Sequence, residues 1–183
     1  TIENCHLQYA ATGIIVSGGG GARIRANLIQ NCTTGISITT TSGRPSTNVS
    51  DNIIRSNSGA GISLATTANA TVNEGPIKIE RNTIHANGTD GIVVTCSSAQ
   101  LQNLVSLIVS NNQLTGNGGY GLNFSGASMT DLLLYTLGAN IANNNGGASG
   151  TVNTSGFCNL TLTQSGTDNI LIDPGYTSAP TDL

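Results

Sequence analysis

Residues 78–94, KIERNTIHANGTDGIVV, carry the pattern on which the fold turns. Ile79, Ile84, Ile92 and Val94 are apolar, and Asn82 and Asn87 stand between them. Ile92 and Val94 are spaced i, i+2, the strand period rather than the helical one. β-branched residues at such positions suit a pleated surface. The same arrangement recurs in TIENCHLQYAATGIIV (1–16), RIRANLIQNCTTGISI (23–38), NVSDNIIRSNSGAGISL (48–64) and IVSNNQLTGNGGYGLNF (108–124).

With Gly13, Gly35, Gly61, Gly91 and Gly121 as origins, successive units are 22, 26, 30 and 30 residues apart. A constant unit with variable insertions is what a solenoid with one loop-bearing side produces. Four columns are always apolar: Ile2, Ile24, Val49, Ile79, Val109; Leu7, Ile29, Ile54, Ile84, Leu114; Ile14, Ile36, Ile62, Ile92, Leu122; and Val16, Ile38, Leu64, Val94, Phe124. Two columns are rich in Asn. One reads Cys5, Asn27, Asn52, Asn82, Asn112, and the other, four residues before each glycine, reads Tyr9, Asn31, Asn57, Asn87, Asn117. Asn tolerates left-handed backbone at tight corners, and Asn side chains stacked in register can bond from coil to coil. A β-sandwich would also show short strands and frequent turns, but it would not keep all six columns in one register.

The expected fold is therefore all-β: a right-handed parallel β-helix with three short strands per coil. Coils stack about 4.8 Å apart, each burying its apolar stripe on the next. A single domain is expected over residues 1–172, with regular coils over 1–124 and irregular coils over 125–172. In the irregular part, Leu132 and Leu134 read as a first strand, Asn143 to Gly147 as a corner, and Leu160, Leu162, Ile170 and Ile172 as two further strands. Asp173-Pro174-Gly175 ends regular structure and leaves 173–183 as a loose tail.

Only 8% of the 183 residues are charged, and the net charge is -3, against about 25% charged residues in ordinary soluble domains. Six cations do not build a basic footprint for phosphate backbones, so no nucleic-acid partner is expected. No run of 18 apolar residues is present, so no membrane insertion is expected, and no leader or signal peptide is read at Thr1.

The unit I-x-x-N-x-I-x-x-N-x-x-x-G-I-x-V resembles the β-helix repeat of secreted proteins in the pectate-lyase-like superfamily, over most of residues 1–124. The stretch DNILIDPGYTSAPTDL is similar to the C-terminal edge of many surface proteins of that kind. The resemblance implies an extracellular or cell-surface location. The superfamily holds polysaccharide lyases, hydrolases, phage tail-spikes and adhesins, so its fold does not select a function.

The Ca²⁺-bridged carboxylates of the lyases find no counterpart in the outward column Glu3, Arg25, Ser50, Glu80, Ser110. Glu3 beside Arg25 reads as a surface ion pair. The paired Asp, His-Gly and Arg-x-Lys of inverting pectin hydrolases are not found, and Asp90 reads as a turn residue. The strongest polar cluster is Arg55 and His85, one coil apart in one outward column, with Glu80 and Arg81 on the coil of His85. Arg would lower the His pKa and a carboxylate would raise it, so the group is a weak candidate general base or else a solvated charged patch. His6 lies in a variable column, and two His with four scattered Cys point to no metal or other cofactor.

Insertions at 39–46, 65–76 and 95–106 are the expected loops; they carry one Arg, one Glu and no aromatic residue. Seven N-x-S/T sequons occur, of which Asn48, Asn69 and Asn153, read as loop residues, are the glycosylation candidates. Register opposes a Cys5–Cys32 disulfide, since a strand separates the two positions, whereas Cys96 and Cys158 share the loop side and could be bridged. Ile2 is already a core-column residue, so the first coil is expected to present an open strand edge suited to end-to-end self-association. The functional expectation is a structural or adhesive surface β-helix with an extracellular polysaccharide as possible partner. The alternative is a fragment of a polysaccharide lyase or glycoside hydrolase.

Overall fold

The structure, a computed structural model, describes residues 1–18, 21–40, 46–66, 76–96, 107–125, 135–138, 140–143, 145–146, 152–153 and 169–170. Every regular element among them is a strand. The first coil comprises β1 (Ile2–Glu3), β2 (His6–Gln8) and β3 (Thr12–Ser17). The second comprises β4 (Arg23–Arg25), β5 (Leu28–Gln30) and β6 (Thr34–Thr40). The third comprises β7 (Asn48–Ser50), β8 (Ile53–Arg55) and β9 (Ile62–Thr66). The fourth comprises β10 (Ile77–Glu80), β11 (Thr83–His85) and β12 (Ile92–Cys96). The fifth comprises β13 (Leu107–Ser110), β14 (Gln113–Thr115) and β15 (Leu122–Ser125). The sixth has β16 (Tyr135–Gly138), β17 (Asn140–Asn143) and β18 (Val152–Asn153), and β19 (Asn169–Ile170) begins the next layer.

First strands pair only with first strands, second with second and third with third, always in parallel. The result is a β-solenoid of three sheets, and each apolar column of the sequence is a single file across one of them. Ile24, Val49, Ile79 and Val109 line the first sheet; Ile29, Ile54, Ile84 and Leu114 the second; Ile36, Ile62, Ile92 and Leu122 the third. All twelve belong to one buried core, with exposures of 0–2%. The sixth coil places its first strand three residues later than Leu132 and Leu134 suggested: Tyr135 pairs with Leu107 and Leu137 with Val109. Leu132 and Leu134 themselves, Leu160, Leu162, Ile172 and the 173–183 segment lie outside the described residues.

The corners depart from the expected division of labour. The left-handed conformation falls on Asn4, Ala26, Asp51, Arg81 and Asn111 at the first corner, and on Tyr9, Asn31, Ser56, Ala86 and Gly116 at the second. Each stands one residue before a ladder position. In the second corner this corrects the expected column: Asn31 is exposed at φ 55° and Cys32 occupies the ladder position. The first two coils have one residue fewer between that position and the glycine, so counting back from the glycine slips by one.

Candidate functional site

In the first five coils the second strand is three residues long, with its middle residue facing the core and buried in coils two to five, so the third residue points outward. In register these are Gln8, Gln30, Arg55, His85 and Thr115. Gln30 Nε2 donates to Gln8 Oε1 at 3.3 Å and lies 3.1 Å from His6 Nε2. Arg55 Nε donates to Gln30 Oε1 at 2.9 Å. The file is thus a hydrogen-bonded chain at its first three positions.

At the next two positions it closes. His85 is only 6% exposed, although it sits in an outward column, and Thr115 is fully buried. Burial first, and then the adjacent Arg55 charge, pushes the His85 pKa below the usual histidine value. Its imidazole is neutral at neutral pH. The Thr115 hydroxyl finds no hydrogen-bond partner among the described residues.

The carboxylate meant to complete this cluster is elsewhere. Glu80 belongs to the first sheet, where it pairs with Ser50 and Ser110 in register, and its Oε1 accepts a hydrogen bond from Ser110 Oγ at 3.2 Å. Arg81, at the corner, grips Asp51 through Nε at 2.8 Å and a second nitrogen at 3.1 Å. This hydrogen bonding holds the Asp51 carboxyl below the usual carboxylate range. The Arg55–His85–Glu80 cluster therefore separates into an Arg–His pair on one sheet and a Glu–Ser pair on another. Glu80 ends β10 and His85 ends β11, and the corner between these strands turns the two side chains to different faces. Glu3 and Arg25 form the expected surface pair, which lowers the Glu3 pKa.

Among the described residues no group of three or more His, Cys, Asp or Glu is placed to hold a metal ion. No helix of the described residues is long and apolar enough to cross a membrane. Asn48 is not a loop residue: it opens β7, and its side-chain oxygen is buried with no hydrogen-bond partner among the described residues, a poor setting for a glycan. Asn153 likewise falls within a strand, β18. Asn69 lies outside the described residues, as does Cys158, the expected partner of Cys96, which ends β12. The central parts of the three insertions, 41–45, 67–75 and 97–106, also lie outside them. Cys5 and Cys32 are free thiols.

Two ladders of asparagine run through the corners. In the first, the Asn27, Asn52, Asn82 and Asn112 backbone N–H groups donate to the side-chain oxygens of Asn52, Asn82, Asn112 and Asn140, at 3.0–3.1 Å. In the second, Cys32, Asn57, Asn87 and Asn117 do the same to Asn57, Asn87, Asn117 and Asn145. Asn140 and Asn145 were missed by the sequence pattern, because the glycine used as its origin has no counterpart in the sixth coil. Asp90 was read as a turn residue and is one that organises its neighbour. Its carboxylate accepts the Tyr120 N–H at 2.7 Å and the Asn123 side-chain amide at 2.9 Å.

An open recess of about 550 Å³ lies at the second corner of the first three coils, bordered by Tyr9, Asn31, Cys32, Thr33, Ser56 and Ser58. It sits where the shorter corners of coils one and two meet the longer corner of coil three. There Ser58 N–H donates to Cys32 O and Gly59 N–H to Thr33 O, which accommodates the extra residue.

Among known protein families, the one described as "Right handed beta helix region" matches residues 1–145. No curated protein and no solved structure matches the chain.

Proposed function

We propose, for a chain that belongs to the right-handed beta-helix family, that it is a structural and adhesive element of the cell surface or extracellular space. Its lateral face would engage an extracellular polysaccharide. The observation that carries this reading is the file Gln8–Gln30–Arg55, hydrogen-bonded along the axis and open to solvent at its first positions. It offers amide and guanidinium donors on each of the first three coils, about 4.8 Å apart, to a ligand that itself repeats. The ladders beneath hold those donors on a rigid frame, which limits the ordering cost of binding.

A panel of neutral and acidic glycans, assayed for binding and for cleavage, tests it. Binding without turnover, weakened at least about fivefold by Arg55→Ala, is expected, the loss of one charge-assisted contact. Turnover abolished by His85→Ala would instead establish the lyase or hydrolase reading. End-to-end assembly is a further part of the proposal, supported by the all-parallel stacking of the three sheets, a ladder that a second copy would extend. Concentration-dependent light scattering of the 183-residue polypeptide, reversed by Ile2→Asp, would accompany it.

A further inference from the structure

We propose that the recess at the second corner of coils one to three is a binding site for an uncharged saccharide unit, stacked on Tyr9. The proposal rests on the adhesive reading above and adds to it a subsite for a neutral sugar, at the corner beside the Gln8–Gln30–Arg55 file.

Tyr9 is the first reason. It stands at φ 60° with 78% of its surface exposed. Positive φ is the conformation of each such corner in the first five coils, and it is unfavourable for a residue as bulky as tyrosine. The equivalent positions on the following coils are Asn31, Ser56, Ala86 and Gly116, all small or polar and suited to a corner. Among the described residues only the first coil carries a ring at this corner, and that ring is not part of the buried core.

The second reason is the shape of the surface beside it. Coils one and two turn this corner with one residue fewer than coil three. Their corners meet a wall that carries Ser56 and Ser58, both exposed. Tyr9, Asn31 and Ser56 occupy the same corner position on successive coils, so the recess runs about 10 Å along the axis. Its volume is within the range of small-ligand sites.

The third reason is chemistry. None of the lining side chains is a carboxylate, an amine or a guanidinium. An aromatic face beside an amide and several hydroxyls matches a pyranose: apolar C–H groups on one face, and hydroxyls round the rim that both donate and accept. The lining itself carries no counter-charge for a uronate or sulfated sugar. The file of Gln8, Gln30 and Arg55 adjoins it on the second sheet, each member one residue before Tyr9, Asn31 and Ser56, which is why the test includes a charged oligosaccharide and Arg55→Ala.

The test uses the 183-residue chain with cellotetraose, mannotetraose, galactotetraose and an oligogalacturonate, followed by titration calorimetry and saturation-transfer NMR. Tyr9→Asn is the informative variant, because Asn accepts the left-handed backbone and is the residue of the next coil. A thermal melt establishes that it folds. At least one neutral oligosaccharide is expected to bind, with affinity falling about tenfold or more in Tyr9→Asn and staying within about threefold in Tyr9→Phe. Saturation of the protein's aromatic protons should pass to the C–H protons of the bound sugar, and should fail to do so in Tyr9→Asn. Neutral binding that survives Tyr9→Asn, or binding confined to the oligogalacturonate and lost in Arg55→Ala, would overturn this site and leave the adhesive reading standing. Absence of binding by any glycan would overturn both.

Discussion

At Asn82 a side-chain amide takes on hydrogen bonds that no strand can make at a corner. Its oxygen accepts the Asn52 backbone N–H at 3.1 Å and the Asn52 side-chain amide at 2.9 Å. Its own nitrogen donates to Val49 O, Glu80 O and the Asn112 side-chain oxygen. All of this happens at 1% exposure, where an unmade hydrogen bond has no water to fall back on. The residue just before it, Arg81, is thereby held in the left-handed region, its N–H bonded to Ser110 O. Where the ladder position is Cys, the thiol keeps part of the role: Cys5 and Cys32 donate to the carbonyls of Glu3 and Gln30, two residues back, as Asn52 does to Ser50. A thiol offers only a weak acceptor for a preceding coil. Asn82→Ala leaves the Asn52 N–H buried and without the oxygen it bonds, so it should cost about 1–3 kcal/mol. Urea unfolding measures this. A loss below about 0.5 kcal/mol would show that the ladder is not a stabilising device.

Among the elements, strands of three residues do not stand alone; each is held by the same strand in the coils before and after. The glycine before each third strand shows how closely they are pressed. Gly91 does not need positive φ, and its space is the issue: a Cβ there would meet Gly121 O at 2.7 Å and the Asn117 side-chain amide at 3.0 Å. At Gly61 it would meet Ile84 Cγ2 at 2.5 Å and Gly91 O at 2.7 Å. One added methyl therefore pushes against both the parallel ladder of the third sheet and the second Asn ladder. Gly91→Ala should destabilise by about 1–3 kcal/mol, the range for overpacking a close-packed interior. Thermal melts report it, and an unchanged midpoint would mean that coils can slide apart locally.

For the whole molecule, stability is close to a sum over neighbouring coils, because each coil touches little beyond the next. Ile54 and Ile84 are sealed on both sides at 0% exposure, whereas Ile2 is 38% exposed in the first coil. Amide hydrogen exchange in the 183-residue chain should therefore be graded along the axis, slowest at Asn52 and Asn82 and fastest at Ile2 and Glu3. Exchange by mass spectrometry at peptide resolution checks this. Equal protection in all coils would indicate all-or-none unfolding instead. The grading bears on function, since the saccharide recess spans the first three coils and binding there should slow exchange in the first.

The sequence by itself determined the repeat, the parallel stacking and the identity of the core, because burial on a solenoid imposes one apolar residue per coil at each inward position. Ile24, Ile54, Ile84 and their columns had no other place to go. It determined the first Asn ladder too, through a constant distance to the following strand. In the second ladder the sequence placed Asn57, Asn87 and Asn117 correctly, and the tertiary structure decided how the shorter corner from Ile29 to Gly35 is aligned with them, which moved the position in the second coil from Asn31 to Cys32. The same difference decided the recess at Tyr9, which is a step between coils and not a property of any one of them. And it separated Glu80 from His85. Proximity along a strand says little about proximity round a corner, and whether an outward side chain is solvated or buried depends on what folds over it.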